Sequence, residues 1–391
     1  MDKNIFLRSF VISLLIATVV SAAFLAGYFF HEHQFQSQPF SILQEAHAIL
    51  VTHGLKDVPE KPQLEYGMIQ GMLQAYDEPH TIFMEPQQHE LASQALEGKF
   101  GGIGAHIRFD ESGNWVLFPF PDSPAEAAGI QDGDRLLKIE EMSVTQDLTA
   151  DGIKSAIRGP VNKKIQLTIG RAPDYAAVEV AVKREEIPLP SVTWHLDTSQ
   201  SWIGIIDINL IAASTTDEIK KAVEELEADG ATHFILDLRD NPGGLLTAGV
   251  DVARLFLKEG LIMEQQYRDQ GTETFKVNQP GPLSDLPMLV LINGGSASAA
   301  EIAAGALQAN QRAVLIGEPS FGKDTIQLIF ELEDGSSIRV TSAKWWIPGL
   351  ETEIGGNGLQ PDLPVPVPEG EPGDPVLSAA VNYWLVQAGS E

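Results

Sequence analysis

The 391-residue sequence contains no cysteine, and this absence excludes several kinds of chemistry. Disulfide bonds, thiol catalysis, cysteine-ligated zinc or iron–sulfur sites and a lipid-modified N-terminal cysteine are all ruled out. Basic residues are also scarce: 26 Lys and Arg stand against 54 Asp and Glu, which leaves a net charge of −28. Because this surplus of negative charge repels nucleic-acid phosphates, no nucleic-acid partner is expected.

The sequence also lacks the common motifs of hydrolases. Neither Gly-x-Ser-x-Gly, nor His-Glu-x-x-His, nor the complete phosphate-binding motif Gly-x-x-x-x-Gly-Lys-Ser/Thr occurs. None of the nine histidines follows His233 in the chain. His195 and His233 fall at predicted strand edges, where a structural role is the more common one for histidine. A Ser-His-Asp triad and a metal site are therefore poorly supported, and no cofactor is expected.

A long apolar run occurs near the start of the chain. Lys3 and Arg8 precede an almost uninterrupted apolar stretch, Phe10 to Phe30, which is long enough to cross a bilayer. Large side chains continue to its boundary, unlike the small residues of a signal-peptide cleavage site. Residues 1–38 are therefore predicted to hold a cytoplasmic N-terminus, a single-pass membrane anchor and a linker, with the body of the chain outside the cytoplasm.

The next region, residues 39–96, carries apolar residues at helical spacing. Ile42, Ala46 and Ile49 show this pattern in the first helix, and a break is expected at Val58-Pro59. Two or three helices of this kind suit a packing or dimerising arm. Such an arm is compatible with a homo-oligomer, although the sequence does not determine the oligomeric state.

Residues 97–184 contain short β-like runs around a distinctive loop and helix. Closely spaced glycines open the segment, and the stretch from Ser123 to Asp134 predicts a short helix ended by Gly129 and an Asp-Gly turn. These features resemble the PDZ family. The resemblance implies that a peptide C-terminus adds as a strand to an open sheet edge, while backbone N–H groups of Gly102-Ile103-Gly104 hold its carboxylate. From the residues alone, a tight turn would explain these glycines too.

Beyond Arg184 the pattern changes to alternating strands and helices, which predicts an α/β domain over residues 185–364. A Pro-rich stretch, 361–375, follows, and residues 365–391 are expected to form a C-terminal strap. The predicted elements are strand 203–208, helix 215–228, strand 234–238, a helix from Leu245, strand 288–292, a helix from Ala299, strand 313–316 and a hairpin of 326–332 with 337–345.

One candidate for chemistry is the stretch Gly294 to Glu301, Gly-Gly-Ser-Ala-Ser-Ala-Ala-Glu, where a buried strand gives way to a helix. A serine at a helix N-terminus lies at the positive end of the helix dipole, beside N–H groups that can receive an oxyanion. The four residues from Ser298 to Glu301 also match a capping box, so Ser298 can instead be a helix cap. This stretch alone favours the cap over a nucleophile.

Two further motifs reverse that preference. Residues 237–245 read Asp-Leu-Arg-Asp-Asn-Pro-Gly-Gly-Leu, and residues 321–327 read Phe-Gly-Lys-Asp-Thr-Ile-Gln. Together with the serine stretch and the segment Ile302 to Leu307, they resemble the catalytic domain of the C-terminal processing (tail-specific) peptidases. The resemblance covers residues 66–362 and implies a crotonase-like α/β serine peptidase core that follows a PDZ domain.

This resemblance implies roles for individual residues. Ser298 matches the nucleophile, Lys323 the general base at the family's spacing from it, and Gln327 the residue that orients the lysine. The implied substrates are proteins or peptides with free C-termini, cut near that end through an acyl-enzyme. The family's oxyanion hole is matched by the backbone N–H groups of Ala299 and of Gly243 or Gly244.

A lysine acts as a base only when it is neutral, which an exposed amine with a pKa of about 10.4 is not at pH 7. Lys323 must therefore be buried, since desolvation lowers the pKa of a lysine. Neutral Gln327 suits this site better than a carboxylate, which would hold the lysine protonated. Four positions along a regular strand would separate the two side chains by about 13 Å, so a turn or bulge between them is required.

Two alternatives stay open at this point. Asp324 stands beside the candidate base where the family usually has Gly, and a carboxylate facing inward there would raise the pKa of the lysine. Asp324 therefore supports the alternative that the chain is a non-catalytic PDZ scaffold that binds the C-termini of extracytoplasmic proteins. A histidine-dependent PDZ protease is opposed by the lack of a suitable histidine and by the domain order.

Overall fold

The computed structural model describes residues 40–110, 112–368 and 373–388. The chain divides into two compact units, Met1–Gly71 and Met72–Glu391. None of the helices in the described ranges is both long and apolar enough to cross a membrane. The predicted anchor, residues 10–30, lies outside the described residues.

The predicted helical region contains three helices and one strand that was not predicted. Its elements are α1 Ser41–His53, α2 Lys61–Tyr76, β1 Ile82–Met84 and α3 Pro86–Glu97. The expected break at Val58-Pro59 lies between α1 and α2. The apolar residues of α1 are exposed rather than packed, and Ile42 and Ile49 are 80% and 54% exposed. The spacing of apolar residues therefore predicted a helix correctly but does not show what covers its apolar residues.

The PDZ-like domain is a small antiparallel sheet with two helices. Its sheet has the order β3-β4-β5-β7-β8, with β6 on β5, and buries Leu117, Ile153 and Leu167. A separate antiparallel pair, β2 with β9, joins the two ends of the domain. The elements are β2 Lys99–Gly102, β3 Ala105–Phe109, β4 Trp115–Pro119, α4 Pro124–Ala127, β5 Asp134–Ile139, β6 Met142–Ser143, α5 Ala150–Ile157, β7 Lys164–Arg171, β8 Ala176–Lys183 and β9 Glu185–Pro188.

The α/β domain is built on a six-stranded sheet of order β10-β11-β12-β15-β16-β19, in which all strands but β10 are parallel. These strands read as nearly continuous apolar runs because both faces of the sheet are covered. The elements are β10 Val192–Leu196, β11 Ile203–Ile208, α6 Thr215–Ala228, β12 His233–Asp237, α7 Leu246–Phe256, β13 Leu261–Tyr267, β14 Thr272–Lys276, β15 Met288–Ile292, α8 Ala299–Ala309, β16 Val314–Gly317, β17 Thr325–Glu331, β18 Ser337–Trp346 and β19 Leu363–Pro364.

A second sheet, of order β1-β18-β13-β14 with β17 on β18, packs with helices α6, α7 and α8 in the main core. Helices α7 and α8 approach closely because small residues face each other: a Cβ on Gly249 would lie 2.7 Å from the carbonyl oxygen of Ala299. This close packing fixes the start of α8, where the candidate nucleophile lies.

The last described segment differs from the strap predicted for residues 365–391. Residues 375–388 form helix α9, Pro375–Ala388. Its side chains Val376, Ala380 and Trp384 pack on the other face of the main sheet, against residues such as Ile235. The Pro-rich stretch predicted an extended chain, whereas burial of the apolar face of residues 375–388 stabilises a helix.

Candidate active site

The candidate residues meet at the carboxyl ends of neighbouring parallel strands. The loops after β12, β15 and β16 lead to Gly244, Ser298 and Lys323, and these three residues line one cleft of about 520 Å³. Adjacent parallel strands end at the same edge of a sheet, so loops far apart in sequence come together there. Side chains from β17, β18 and α3 complete the cleft, among them Gln327 and Arg339.

Ser298 is the N-cap residue of α8 and has an unusual backbone conformation, with φ 54° and ψ −115°. A non-glycine residue at positive φ is strained, and such strain is common where a turn presents a reactive side chain. The neighbouring Ser296 is 2% exposed. Its hydroxyl donates to the Leu238 carbonyl at 2.7 Å and accepts from the Asn293 N–H at 3.0 Å. Ser296 is therefore structural, and Ser298 is the serine that faces the cleft.

Glu301 connects the serine and the lysine. Its buried carboxylate accepts the Ser298 N–H at 2.7 Å and the Lys323 N–H at 3.0 Å on the same oxygen, Oε2. Oε1 accepts the Ser320 hydroxyl at 2.6 Å and the Gly322 N–H at 2.7 Å. Burial raises the pKa of Glu301, although these hydrogen bonds oppose the rise. One carboxylate thus fixes the backbone at both candidate catalytic residues.

The amine of Lys323 is partly buried, as a general base requires. Burial is the main factor that lowers its pKa, and the guanidinium of Arg339 lowers it further, while Glu301 and Glu78 act in the opposite direction. In the described ranges the amine has no hydrogen-bond partner, and no hydrogen bond joins it to the Ser298 hydroxyl. The Lys323 amine therefore lines the same cleft as Ser298 without a hydrogen-bond partner among the described residues.

Asp324 does not act on this amine. Its carboxylate lies 3.6 Å from the amine of Lys344, and the groups whose charges shift the pKa of Lys323 are Arg339, Glu301 and Glu78. The feature that sustained the scaffold alternative therefore points away from the candidate base.

Gln327 lies on β17 just after an irregularity in strand pairing. The register with β18 shifts between Ile326 and Gln327, with the extra residue in β18, and Lys323 precedes the strand instead of lying on it. The side-chain amide donates to the hydroxyls of Thr325 and Thr341, both at 3.1 Å. Its carbonyl oxygen has no donor in the described part of the chain, so it is available to a nearby N–H group.

The two candidate oxyanion-hole glycines differ in their hydrogen bonds. The Gly243 N–H donates to the buried side chain of Asn241 at 2.8 Å. The N–H groups of Gly244 and Ala299 have no hydrogen-bond acceptor among the described residues. Gly243 instead allows a close approach, because a Cβ there would lie 2.9 Å from the Cβ of Ser298. The free donors at the cleft are therefore those of Gly244 and Ala299.

The PDZ-like domain has an open sheet edge. Strand β3 pairs only with β4, and α5 contacts β3. Gly102 belongs to β2, which pairs with β9, but Ile103 and Gly104 precede β3 with N–H groups that no described acceptor takes up. The Ile103 side chain is buried in the domain core, so this residue can offer a ligand its backbone only.

Several site residues were not identified from the sequence. Glu301 was considered only as part of a capping box, and Asn241 only as part of a motif. His80 lines the cleft, as does Arg339 from the middle of β18. An alternating strand pattern does not reveal which face lines a cleft, so the sequence held no signal for Arg339.

Comparisons with known proteins agree with this architecture. Residues 202–365 match the family model of peptidase family S41, and residues 120–171 match that of the PDZ domain. A carboxyl-terminal-processing protease of Synechocystis sp. is 40% identical over 307 residues, which cover 78% of this chain and 71% of the relative. The carboxy-terminal processing protease CtpA of Bacillus subtilis is 34% identical over 304 residues, which cover 78% of this chain and 64% of the relative.

Among solved structures, the chain is similar to a photosystem II D1 C-terminal processing protease. The two are 27% identical with a TM-score of 0.45, and the match covers 85% of this chain and 88% of that chain.

Proposed function

Because the chain belongs to the carboxyl-terminal-processing proteases of peptidase family S41, and is thus a serine-type peptidase with a PDZ domain, we propose that Ser298 is its nucleophile and Lys323 its general base. The observation that carries this proposal is the shared carboxylate oxygen of Glu301, which holds the backbone of both residues at one cleft. The free Lys323 amine, whose pKa is lowered chiefly by burial, supports the assignment of the base.

In the proposed reaction the Ser298 hydroxyl oxygen bonds to the carbonyl carbon of the scissile peptide, and its proton passes to the Lys323 amine. The Gly244 and Ala299 N–H groups donate to the resulting oxyanion. The C–N bond then breaks, and the leaving amine takes the proton from Lys323. A water molecule, deprotonated by Lys323, releases the acyl group and restores Ser298. Contact between the two side chains would form with substrate bound, since catalytic hydrogen bonds are often long without it.

The test uses the full chain and an unfolded protein with an apolar C-terminus. Ser298→Ala and Lys323→Ala should each abolish cutting, while Lys344→Ala, which removes an exposed lysine nearby, should not. Mass spectrometry of the products locates the cut, and acid quenching should trap an acyl adduct on Ser298. If both Ser298→Ala and Lys323→Ala still cut the substrate, these residues are not the nucleophile and the general base.

We further propose that the PDZ domain captures the substrate tail as an added strand on β3, with its carboxylate on the Ile103 and Gly104 N–H groups. The unpaired edge of β3 and these two free donors support this role. Fluorescence anisotropy with the Ser298→Ala chain should show weaker binding of a tail peptide when its C-terminus is amidated. Equal affinity of acid and amide would exclude carboxylate capture.

For residues 10–30 we propose a single membrane anchor, on the basis of the apolar sequence and the preceding Lys3 and Arg8. The body of the chain would then act outside the cytoplasm. In cells the full chain should resist alkaline extraction from membranes, and an external protease should reach its PDZ domain. Release of the intact chain by alkali would argue against an anchor.

Self-association through α1 is the proposed role of its apolar residues. Ile42, Ile49 and Leu50 are exposed by 80%, 54% and 56%, a surface that a second copy of the helix would cover. Light scattering of the detergent-solubilised chain should show a dimer or higher oligomer. The double variant Ile42→Glu and Ile49→Glu should shift it toward the monomer, and an unchanged mass would rule out this interface.

A further inference from the structure

Arg339 introduces a positive charge into a cleft that has no acidic lining. Of the described residues that line the cleft, Arg339 and Lys323 are the basic ones, with His80 beside them, and none is Asp or Glu. This local composition contrasts with the chain as a whole, whose net charge is −28. A cationic cleft in an acidic protein concentrates anionic groups at that point.

The position of Arg339 is fixed from both sides. It lies in β18 opposite Ile82 of β1 and Ile329 of β17, and both isoleucines line the same cleft. Trp345, farther along the same strand, also lines the cleft. The aliphatic part of Arg339 therefore lies beside apolar neighbours, as is usual for arginine, with the charged head left for the cleft.

The guanidinium of Arg339 has no partner within the described chain. Its Nε is buried and unbonded, and no ion pair or hydrogen bond engages the side chain. Burial lowers its pKa, although an arginine keeps its charge at any ordinary pH. A partly buried charge without a counter-ion is costly, and an anion from a ligand would reduce that cost.

The carboxylates that influence the same cleft are already engaged. Glu78 accepts the Thr81 hydroxyl at 2.5 Å and the His80 N–H at 3.2 Å. Glu301 accepts four donors, as described above. Among the described residues no ion pair or hydrogen bond joins either carboxylate to Arg339, which leaves its planar fork of N–H groups for a carboxylate from outside.

We propose that Arg339 is a specificity residue that binds a carboxylate of the substrate segment lying in the catalytic cleft. The carboxylate comes from an acidic side chain near the scissile bond or from the free C-terminus of a short tail. This role rests on the proposed Ser298 and Lys323 chemistry. Arginine suits it because its fork matches a carboxylate through two parallel hydrogen bonds.

The test compares matched peptide pairs in the full chain. In one series Glu replaces Gln at each position around the scissile bond in turn, and in the other a free C-terminus replaces an amide. The wild type should prefer one carboxylate peptide by about tenfold in kcat/KM, as a charged hydrogen-bonded pair supplies. Arg339→Met should abolish the preference, and Arg339→Lys should keep part of it.

The control is Arg268→Met, which removes a 93% exposed arginine and should leave the preference unchanged. The ratio between paired peptides is the readout, so a general loss of rate in Arg339→Met does not affect it. If Arg339→Met still prefers a free C-terminus to an amidated one, that preference comes from the PDZ domain. This result would overturn the proposal that Arg339 binds the C-terminal carboxylate. If the wild type shows no preference in either series, Arg339 does not bind a substrate carboxylate.

Failure of the proposed chemistry is distinguished by a binding measurement. In the Ser298→Ala background, anisotropy of the same labelled peptides reports the carboxylate preference without any cutting. A preference there that Arg339→Met removes supports this inference even if Ser298 is not the nucleophile. Equal binding of all pairs refutes it even if Ser298 is.

Discussion

At the scale of single residues, Glu301 joins the two candidate catalytic residues through one oxygen. In Glu301→Gln an NH₂ group replaces one carboxylate oxygen, so it faces donors in either orientation and one pair of hydrogen bonds is lost. We expect kcat/KM to fall about 100-fold, because a hydrogen bond to a charged group contributes about 1.5–3 kcal/mol. Peptide cleavage measures the rate, and urea unfolding shows whether the chain is still folded.

The matched control for this change is the exposed Glu331→Gln, which should cut at the wild-type rate. If the Glu301 variant retains full activity while folded, the shared carboxylate is dispensable.

Substitutions at Gln327 test the direction in which a neighbouring group shifts the pKa of Lys323. The amide holds no charge, whereas in Gln327→Glu a carboxylate would stabilise the Lys323 ammonium and raise its pKa. The base is active above its pKa, so the acidic limb of the kcat/KM profile should move to higher pH. At a pH below the limb, a lysine pKa that is higher by about one lowers the rate about tenfold. Gln327→Met should reduce the rate without this alkaline movement of the limb, and coinciding limbs in all three proteins would contradict the assigned base.

At the scale of elements, α9 stabilises the main sheet from the face opposite the cleft. Trp384 is 9% exposed and packs in a cluster with Ile235 and Leu289. Trp384→Ala should lower the free energy of unfolding by about 3–5 kcal/mol, as expected for a large core side chain. Leu385→Ala on the same helix removes a side chain that is 41% exposed. It should change stability by no more than about 0.5 kcal/mol, and equal losses in the two variants would mean that α9 does not pack as described.

The segment just before this helix is joined by ion pairs to the loop that follows β12. Arg239, just after β12, pairs with Asp237 at 2.6 Å and with Asp374 at 2.8 Å. Burial alone would raise the pKa of Asp374, but the hydrogen bonds and charge of Arg239 outweigh it, so this pKa lies below its usual value. The pair therefore stabilises the fold above the pKa of an unfolded aspartate, and this contribution is lost as pH falls through the lowered value.

At the scale of the whole molecule, the net charge of −28 acts on every approaching substrate. Strongly acidic unfolded proteins should be cut more slowly at low ionic strength than at 0.15 M salt, because the Debye length shrinks from about 30 Å at 0.01 M to about 8 Å. Strongly basic substrates should show the reverse. Measuring kcat/KM across this range tests the effect, and a common salt response for both classes would show that the charge does not steer encounter.

Long-range repulsion and the local attraction at Arg339 operate over different distances. A short peptide with one carboxylate carries little charge, so its preference should survive in salt that abolishes the repulsion of acidic proteins. The two effects are thus separable in one set of measurements.

The sequence by itself determined the parts of this protein that depend on local pattern. Apolar runs such as Met288–Ile292 specify strands through neighbouring residues, and both this strand and the helix Thr215–Ala228 were predicted with their bounds. The three motifs around Gly243, Ser298 and Lys323 likewise carry their order and spacing in the chain, so the family and the candidate nucleophile and base followed from them.

Only the tertiary structure decided which groups act on these residues. The orientation of Asp324 toward Lys344, the free N–H of Gly244, the four donors on Glu301 and the unpaired Arg339 all depend on contacts between segments distant in sequence. Charge and hydrogen bonding depend on distance in space, and distance in space is set by how the sheets and loops pack. For this reason the chemistry of the cleft could be outlined from motifs but not assembled from them.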